Sequence, residues 1–208
     1  MPGVIPEKVN KIDWYHHYLS KKVILTTPST YGQLVGEERP FLKVVRRYAP
    51  KGGKILEAGC GLARTAIVMA KNGYRVTVLD RDEKMLELAR QNARMVSAHL
   101  RFLKMDFFRL PKTARKSKYD AITHGGVLEH YSIAEIRRAL KIQLRLAPLI
   151  VFSVPTTSRF NRQYFHDSIH RHLWSALFWE RKVLKGFPIV FSKKVHDRKD
   201  SLVVVIKR

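Results

Sequence analysis

Three acidic residues each come at or near the end of a short apolar run, where a strand of a parallel sheet would end. Glu57 lies in "KILEAGCG", Asp80 closes "YRVTVLD", and Asp106 follows "HLRFLKM". Carboxylates at such positions can accept hydrogen bonds from ribose hydroxyls and from an exocyclic amine. Phe107 and Phe108, directly after Asp106, would offer an aromatic surface to a base. The pattern therefore predicts a site for a nucleoside-containing cofactor.

Two glycines, Gly59 and Gly61, follow Glu57 and open a turn into the next helical pattern. A dinucleotide fingerprint would continue as G-x-G-x-x-G, but Arg64 occupies the third glycine position. An acid at position 57 also suits a pyrophosphate poorly, because like charges repel at close range. S-adenosylmethionine is a sulfonium with an ammonium group and no phosphate. This cofactor therefore fits the turn better than a nicotinamide dinucleotide does.

Apolar and amphipathic runs alternate on either side of this turn. Strand-like runs cover residues 54–58, 74–79, 99–105, 119–123 and 149–154, and helical patterns cover 33–48, 62–71, 82–97 and 132–146. Pro40 is expected to kink or split the first helix, and Ser132 with Glu135 forms a capping-box pattern. Strands separated by helices predict a parallel sheet in a doubly wound α/β fold.

The last part of the chain has a different pattern. A helical stretch is predicted over 172–185, with Leu173, Leu177 and Leu184 facing the core. Two β-rich runs, 187–195 and 201–208, follow and are separated by the short turn "HDRKD". Because a short turn joins antiparallel strands, we expect a terminal hairpin.

The segments "ILEAGCG", "VTVLDRDEKMLELAR", "FLKMDFF", "YDAITHGGVLEHY" and "LIVFSVPT" resemble the class I S-adenosylmethionine-dependent methyltransferases. The "GVLEH" run is similar to a subgroup with many small-molecule and quinone-type enzymes. The resemblance implies a Rossmann-like, mostly parallel seven-stranded sheet of order 3-2-1-4-5-7-6. It also implies a methyltransferase domain over 51–208, preceded by an N-terminal helical segment or substrate lid over 1–50.

The resemblance further implies S-adenosylmethionine as cofactor and S-adenosylhomocysteine as product. The residues expected to contact the cofactor are Glu57, Gly59, Cys60, Gly61, Asp80, Arg81, Asp106, Phe107, His124 and Gly125. One departure from the family pattern is Ala63, where many members have a third glycine. Its methyl group should narrow the turn slightly.

Candidate catalytic residues follow the fourth predicted strand. Methyl transfer is an in-line displacement, so the protein aligns acceptor and donor and, where needed, removes a proton. His130 is the first candidate for the base, because histidine titrates near neutral pH. Glu129 stands beside it, and His124 is a weaker candidate that would line the cofactor pocket. The alternative is that Glu129 and His130 cap the next helix and hold the loop.

The acceptor is less well defined by the sequence. The position after the fourth strand reads "HGGV" and not N/D-P-P-Y/F, which disfavours methylation of exocyclic base amines. Cys60 lies in the cofactor turn, which disfavours its use as the nucleophile that cytosine C5 methylation needs. A small or medium-sized acceptor, anionic or aromatic, is the first hypothesis. An RNA methyltransferase and a nucleic-acid-binding protein that keeps only the fold are the alternatives.

The composition is strongly basic, with 40 Lys and Arg against 17 Asp and Glu and a net charge of +23. The excess is present in every part of the chain and is strongest in 109–119 and in the last quarter. Such a surface favours polyanions, whether RNA, an acidic membrane surface or anionic metabolites. A general bias of the source toward basic proteins is the alternative. The charge alone therefore names no partner.

Several classes of protein are not expected. No stretch reaches the roughly 18 apolar residues of a spanning helix, and no leader pattern opens the chain, so we predict a cytoplasmic protein. The single cysteine cannot form an internal disulfide. His166, His170 and His172 lack a suitably spaced carboxylate or cysteine, so no metal site is predicted. The oligomeric state is left open.

Overall fold

The computed structural model of the chain describes residues 12–20, 25–110, 119–165, 167, 169–196 and 199–208. Its strands are Lys54–Ala58 (β1), Arg75–Asp80 (β2), Arg101–Lys104 (β3), Ala121–Gly125 (β4), Leu149–Pro155 (β5), Ile189–His196 (β6) and Asp200–Lys207 (β7). They form one seven-stranded sheet of order β3-β2-β1-β4-β5-β7-β6. The first five strands are parallel, and β7 pairs antiparallel with both β5 and β6. The predicted fold class, strand order and terminal hairpin are confirmed.

Helices cover both faces of this sheet. They are Trp14–Ser20 (α1), Tyr31–Tyr48 (α2), Arg64–Lys71 (α3), Glu83–Met95 (α4), Ile133–Leu146 (α5), Arg159–Tyr164 (α6) and Ala176–Phe178 (α7). Buried side chains of α2, α3 and α4 pack in one core cluster with alternate residues of the central strands. Buried side chains of α5 and of the segment after α7 pack in two further clusters. These clusters contain the strand residues that alternate with those of the first cluster. The doubly wound arrangement follows from this alternation of side chains along buried parallel strands.

The helix boundaries follow local capping chemistry. Asp82 caps α4 by accepting a hydrogen bond from the amide of Lys84 at 2.9 Å. Ser132 caps α5, and its capping box with Glu135 is complete. Pro40 does not split α2, which runs uninterrupted across it. Within the described residues, no helix is both long and apolar enough to cross a bilayer.

The segment predicted as a helix over 172–185 is different in the structure. It holds only the single turn α7 and a π-helical turn, Trp179–Val183. Leu177, predicted to face the core, is 53% exposed, whereas Trp179 and Val183 are fully buried. The amide of Leu184 donates to the carbonyl of Trp179 at 2.8 Å, and this wider turn rotates the aromatic residue into the core. The predicted leucine face is therefore wrong at Leu177.

Some features discussed above lie outside the described residues. They are 1–11 and 21–24 of the N-terminal segment, 111–118 of the basic run, His166, and 197–198 of the hairpin turn.

A buried asparagine links the turn after β1 to the N-terminal part of the chain. Asn92, on α4, donates its side-chain amide to the carbonyl of Leu62 at 2.7 Å. Its side-chain oxygen accepts from the amide of Thr26 at 2.6 Å. Because an unpaired buried amide costs about 1–3 kcal/mol, these two bonds strongly favour the observed position of the turn.

The carboxyl group of Glu57 is buried beneath the first turn of α3. The side chain is only 3% exposed, and its Oε2 accepts a hydrogen bond from the amide of Ala66 at 3.0 Å. Glu38 is near it and accepts from the hydroxyl of Thr65 at 2.9 Å. Burial, aided by the negative charge of Glu38, raises the pKa of Glu57 to about 8. The folded protein therefore holds Glu57 in its neutral form at pH 7.

This shift predicts a pH-dependent stability. Between the ordinary pKa of 4.5 and the folded value of about 8, the unfolded chain loses the Glu57 proton and the folded chain keeps it. The contribution of neutral Glu57 to the free energy of unfolding is therefore fully present below pH 4.5. It is lost progressively as the pH rises from 4.5 to about 8. Compared with Glu57→Gln, the wild type should lose about 1 kcal/mol of unfolding free energy per pH unit there.

Urea denaturation at several pH values between 5 and 8 measures this difference. The same substitution at Glu180, which is partly exposed, is the control and should leave the pH profile unchanged. A constant difference between wild type and Glu57→Gln at every pH would contradict the shift.

Candidate functional site

A cavity of about 120 Å³ lies at the carboxyl ends of β1, β2, β3 and β4. The segments after these strands line it, together with residues of α1. In a doubly wound sheet this edge, where the strand order reverses, is where ligands bind. Its lining residues are Ile12, Trp14, Tyr18, Gly59, Cys60, Gly61, Leu79, Asp80, Arg81, Met105, Asp106, Phe107, Gly125, Gly126, Val127, His130 and Tyr131.

The turn after β1 is held against its neighbours and has no room for a side chain at Gly59. The amides of Gly59 and Cys60 donate to the carbonyl of Leu79 at 2.8 and 3.1 Å. A Cβ atom at Gly59 would lie 2.9 Å from Cγ2 of Val127, and the φ angle of Gly59 is +74°. Cys60 is 7% exposed, and burial raises the pKa of its thiol, which agrees with a role in lining and not in nucleophilic chemistry.

The family departure at Ala63 has a backbone consequence. Ala63 adopts a φ of +55°, in the left-handed region. An L-residue with a Cβ costs about 1–2 kcal/mol there, whereas glycine adopts this region freely. The methyl group is fully buried. Ala63 therefore adds backbone strain to the turn, in addition to the predicted narrowing.

Asp80 lies at the end of β2 beside the glycine turn. Its carboxylate accepts hydrogen bonds from the amides of Gly61 at 3.4 Å and Asp82 at 3.1 Å. Partial burial raises the pKa of Asp80, and the backbone amides oppose that shift. Arg81, next to it, is exposed at the cavity edge. The structure therefore brings both predicted residues to the cavity.

Asp106 and Phe107 lie on the same cavity, after β3. Asp106 caps a short 3₁₀ helix, Phe107–Arg109, by accepting from the amide of Phe108 at 2.9 Å. The Phe107 ring packs edge-on against Tyr131, with ring centroids 5.4 Å apart. Tyr131 was not predicted, although it directly follows the "GVLEH" run. Burial raises the pKa of its phenol to about 12, so it stays protonated and can donate a hydrogen bond.

His130 lines the cavity, with Glu129 buried beside it. The Nδ1 atom of His130 is 2.8 Å from the carbonyl oxygen of His170, so the hydrogen is assigned to Nδ1 and the lone pair to Nε2. Burial lowers the pKa of His130, although the negative charge of Glu129 opposes this. A Glu129 oxygen is 3.8 Å from Nε2. Among the described residues, the other oxygen has no hydrogen-bond partner.

The alternative role as a helix cap does not describe this pair. Ser132, and not Glu129 or His130, caps α5. The pair does hold a loop, because the backbone carbonyl of Glu129 accepts from the amide of His172 at 2.8 Å. His130 therefore combines a loop contact through Nδ1 with a free Nε2 lone pair near the cavity.

Two predicted residues lie behind the cavity. His124 is fully buried within β4. Its Nδ1 is 3.0 Å from the carbonyl of Ala58, and its Nε2 is 2.9 Å from the side chain of Gln143. Glu57 holds the first turn of α3 and also does not line the cavity. Gly125, by contrast, does line it. The roles predicted for His124 and Glu57 thus have no cavity contact to support them.

Helix α1 covers one side of the cavity, which Trp14 and Tyr18 line. The Trp14 ring packs edge-on against His130, with centroids 4.9 Å apart. The Tyr18 hydroxyl would be 3.3 Å from a Cβ atom at Gly61. His17 reaches within 3.8 Å of the Asp167 carboxylate, which joins α1 to the segment after α6. Trp14 and Tyr18 of the N-terminal segment therefore belong to the site.

The described residues contain no group of three or more His, Cys, Asp or Glu side chains that could hold a metal ion. His170 and His172 pack edge-on, with ring centroids 4.5 Å apart. His166 lies outside the described residues.

Known proteins share part of this sequence and the fold. A sequence model of a family described as "methyltransferase domain" matches residues 55–147. The chain is 40% identical over 88 residues to an S-adenosyl-L-methionine-dependent Diels–Alderase of Neonectria sp. (strain DH2), covering 40% of this chain and 36% of that protein. It is 31% identical over 80 residues to a ubiquinone biosynthesis O-methyltransferase of Coxiella burnetii (strain Dugway 5J108-111), covering 38% and 33%. The chain thus spans about a third of the length of these relatives.

A solved structure shares most of the fold. Magnesium protoporphyrin IX methyltransferase from Synechocystis PCC 6803, crystallised with bound SAH, superposes with a TM-score of 0.66 at 23% identity. The match covers 85% of this chain and 84% of that one. At this identity the likeness concerns the fold. Together with the family match over residues 55–147 and the local sequence relatives, it supports the resemblance to the class I S-adenosylmethionine-dependent methyltransferase superfamily.

Proposed function

We propose that this protein transfers the methyl group of S-adenosylmethionine to a small or medium-sized acceptor. The observation that carries the proposal is the meeting of Asp80, Asp106 and Phe107 on one cavity beside a glycine turn. Two carboxylates and an aromatic ring match a ribose, an exocyclic amine and a base. Because a side chain at Gly59 would collide with Val127, the turn presents only its backbone at this position. These residues fit the cofactor, which supplies a methyl group on a sulfonium.

The roles of individual residues follow from their positions. Asp80 would accept hydrogen bonds from the ribose hydroxyls, and Asp106 from the exocyclic amine of adenine. Phe107 and Tyr131 would pack on the base. Glu57, neutral in the folded protein, would support the turn from behind by holding the start of α3.

Proton removal from the acceptor is assigned to His130. Its Nε2 lone pair can take the proton of a hydroxyl or amine as the methyl group bonds to that oxygen or nitrogen. The Glu129 carboxylate, 3.8 Å from Nε2, would stabilise the resulting imidazolium. The lowered pKa of His130 supports this role, because the ring is neutral and able to accept at pH 7.

The acceptor would lie beneath α1. The aromatic rings of Trp14 and Tyr18 and the charge of Lys199 near His130 favour an acceptor that is aromatic or anionic. Ligand sites for molecules of this size commonly have volumes of about 300–1,000 Å³, and the cavity is smaller. We therefore assign α1, within the N-terminal segment 1–50, to a lid that moves outward as ligands enter. The small-molecule enzymes among the similar proteins support this acceptor class.

The cofactor assignment is tested by Asp80→Asn. Loss of charge-assisted bonds worth about 1.5–3 kcal/mol should raise the Kd for S-adenosylmethionine about 10- to 150-fold in calorimetry. Asp82→Asn is the matched control, because Asp82 caps α4 and does not line the cavity. Equal affinities of both variants for the cofactor would remove Asp80 from the site.

The acceptor class is tested with methyl-labelled cofactor and a fractionated cell extract. Label should enter the small-molecule fraction and be reduced with Asp80→Asn at a cofactor concentration near the wild-type Kd. His130→Gln should keep cofactor affinity and reduce labelling about 10²-fold or more, as expected for loss of a general base. His16→Gln, on the exposed side of α1, should label normally. Label found only in RNA would favour the RNA methyltransferase alternative.

The lid is tested by Trp14→Ala. Removing the ring that covers His130 should speed dissociation of S-adenosylhomocysteine about tenfold, which corresponds to about 1.4 kcal/mol. Leu19→Ala is the control on the same helix, because Leu19 is 50% exposed. Displacement of labelled S-adenosylhomocysteine by excess unlabelled compound measures both rates, and identical rates would contradict a lid role for α1.

A further inference from the structure

We propose that a second surface of this protein, at the edge of the sheet opposite the cavity, binds single-stranded nucleic acid. The surface is a groove of about 1000 Å³ at the starts of β1, β2 and β3, here called the strand-start groove. Strand β1 has five residues, so about 16 Å separates this edge from the cavity. Nucleic acid bound there would leave the cavity free. The proposal is independent of methyl transfer.

A row of cations runs along the strand-start groove. Lys54, Arg75 and Arg101 are the first residues of β1, β2 and β3. Lys54 pairs in register with Arg75, and Arg101 pairs with Thr77, two positions along β2. Because neighbouring strands are about 4.8 Å apart and residues rise about 3.3 Å along a strand, Lys54 and Arg75 are roughly 5 Å apart and Arg75 and Arg101 roughly 8 Å apart along the backbone. Such a row matches the repeating charge of a phosphodiester chain.

Two helix ends add cations to the same groove. Lys71 is the last residue of α3, and Arg94 lies in the last turn of α4. Positive charge at a helix C-terminus is favourable by itself, which gives these two residues a structural explanation. The three strand residues serve no helix dipole. Their convergence is therefore the feature that points to a ligand.

Within the described residues these side-chain charges have no ion-pair partner, although the Asp120 carboxylate accepts a hydrogen bond from the backbone amide of Lys54 at 2.7 Å. Among the described residues, no Asp or Glu lines the groove. None of Lys54, Lys71, Arg75, Arg94 and Arg101 forms an ion pair within the part of the chain that the structure describes. Arg90 is different, since it pairs with Glu83 and Glu87. A polyanion would supply the missing counter-charge and release bound counterions.

Aromatic rings line the same groove as the cations. Phe102 and Tyr119 line the groove and are partly exposed. The guanidinium of Arg90 is 5.2 Å from the centre of the Phe102 ring. Unpaired bases stack on such rings and on arginine planes, and this stacking is worth about 1–3 kcal/mol per base. The combination of a cationic track and stacking surfaces favours a single strand over a duplex, whose bases are already stacked.

An acidic membrane fits the groove less well. A bilayer is bound by apolar side chains that protrude beside the cations. The large hydrophobic residues that are exposed among the described ones are Leu19, Met95, Phe160, Leu177 and Val190. None of them lines the strand-start groove. A concave cationic track instead admits a flexible chain.

The experiment measures binding of a fluorescein-labelled oligouridylate by fluorescence anisotropy across a series of salt concentrations. Arg75→Gln combined with Arg101→Gln should weaken binding about tenfold near physiological salt. It should also lower the slope of log K against log salt by about 1.4, because two phosphate contacts are lost. Cofactor affinity should stay unchanged, which verifies folding and separates this result from the proposed function.

A matched control uses a second basic groove. Arg39 and Lys193 line a groove of about 530 Å³ between α2 and β6, so Arg39→Gln combined with Lys193→Gln removes the same charge. This control should keep the affinity and salt slope of the wild type. Equal weakening by both pairs would assign binding to overall charge and overturn the proposal. Absence of oligouridylate binding by the wild type would also overturn the proposal. The same holds if Arg75→Gln combined with Arg101→Gln keeps its affinity for oligouridylate and loses only its binding to phosphatidylserine vesicles.

Discussion

The turn after β1 can form only because residue 59 has no side chain. A Cβ atom there would meet Val127, which comes from the segment after β4. The amides of residues 59 and 60 donate to the carbonyl of Leu79, at the end of β2. One contact point thus joins the ends of three strands. The positions of Asp80, the 3₁₀ helix of Phe107 and the loop of His130 all depend on how closely these strand ends approach. Glycine at position 59 is a condition for the whole cavity.

The three acids that first indicated a cofactor site have three different environments. Glu57 is buried under α3 and neutral at pH 7 because water is excluded and Glu38 is near. Asp80 is partly buried and bonded to backbone amides, whereas Asp106 caps a 3₁₀ helix at the cavity. Among the three acids, only the two aspartates, Asp80 and Asp106, therefore place a carboxylate at the cavity from the end of a strand. The glutamate supports the turn and contributes little charge to the free protein.

Most of the fold was predictable because it depends on local patterns. Short apolar runs marked the first five strands and helical periodicity marked the main helices, and Asp82 and Ser132 cap helices as their spacing indicates. The prediction was wrong at Leu177 because helical periodicity assumes α-helical turns. A π-helical turn and the burial of Trp179 change which side chains face the core. Neither has a clear local signal.

The sequence by itself determined the class of fold, the glycine turn, the carboxylates at strand ends and the basic character, because each depends on residue type and short-range spacing. Only the tertiary structure decided which side chains meet. The contact of Trp14 with His130, the bond from His130 to His170 and the enclosure of His124 by Ala58 and Gln143 each join distant parts of the chain. The row of Lys54, Arg75 and Arg101 likewise exists only because parallel strands align their starts. Local spacing carries no information about such distances, since they arise from how packed elements cross.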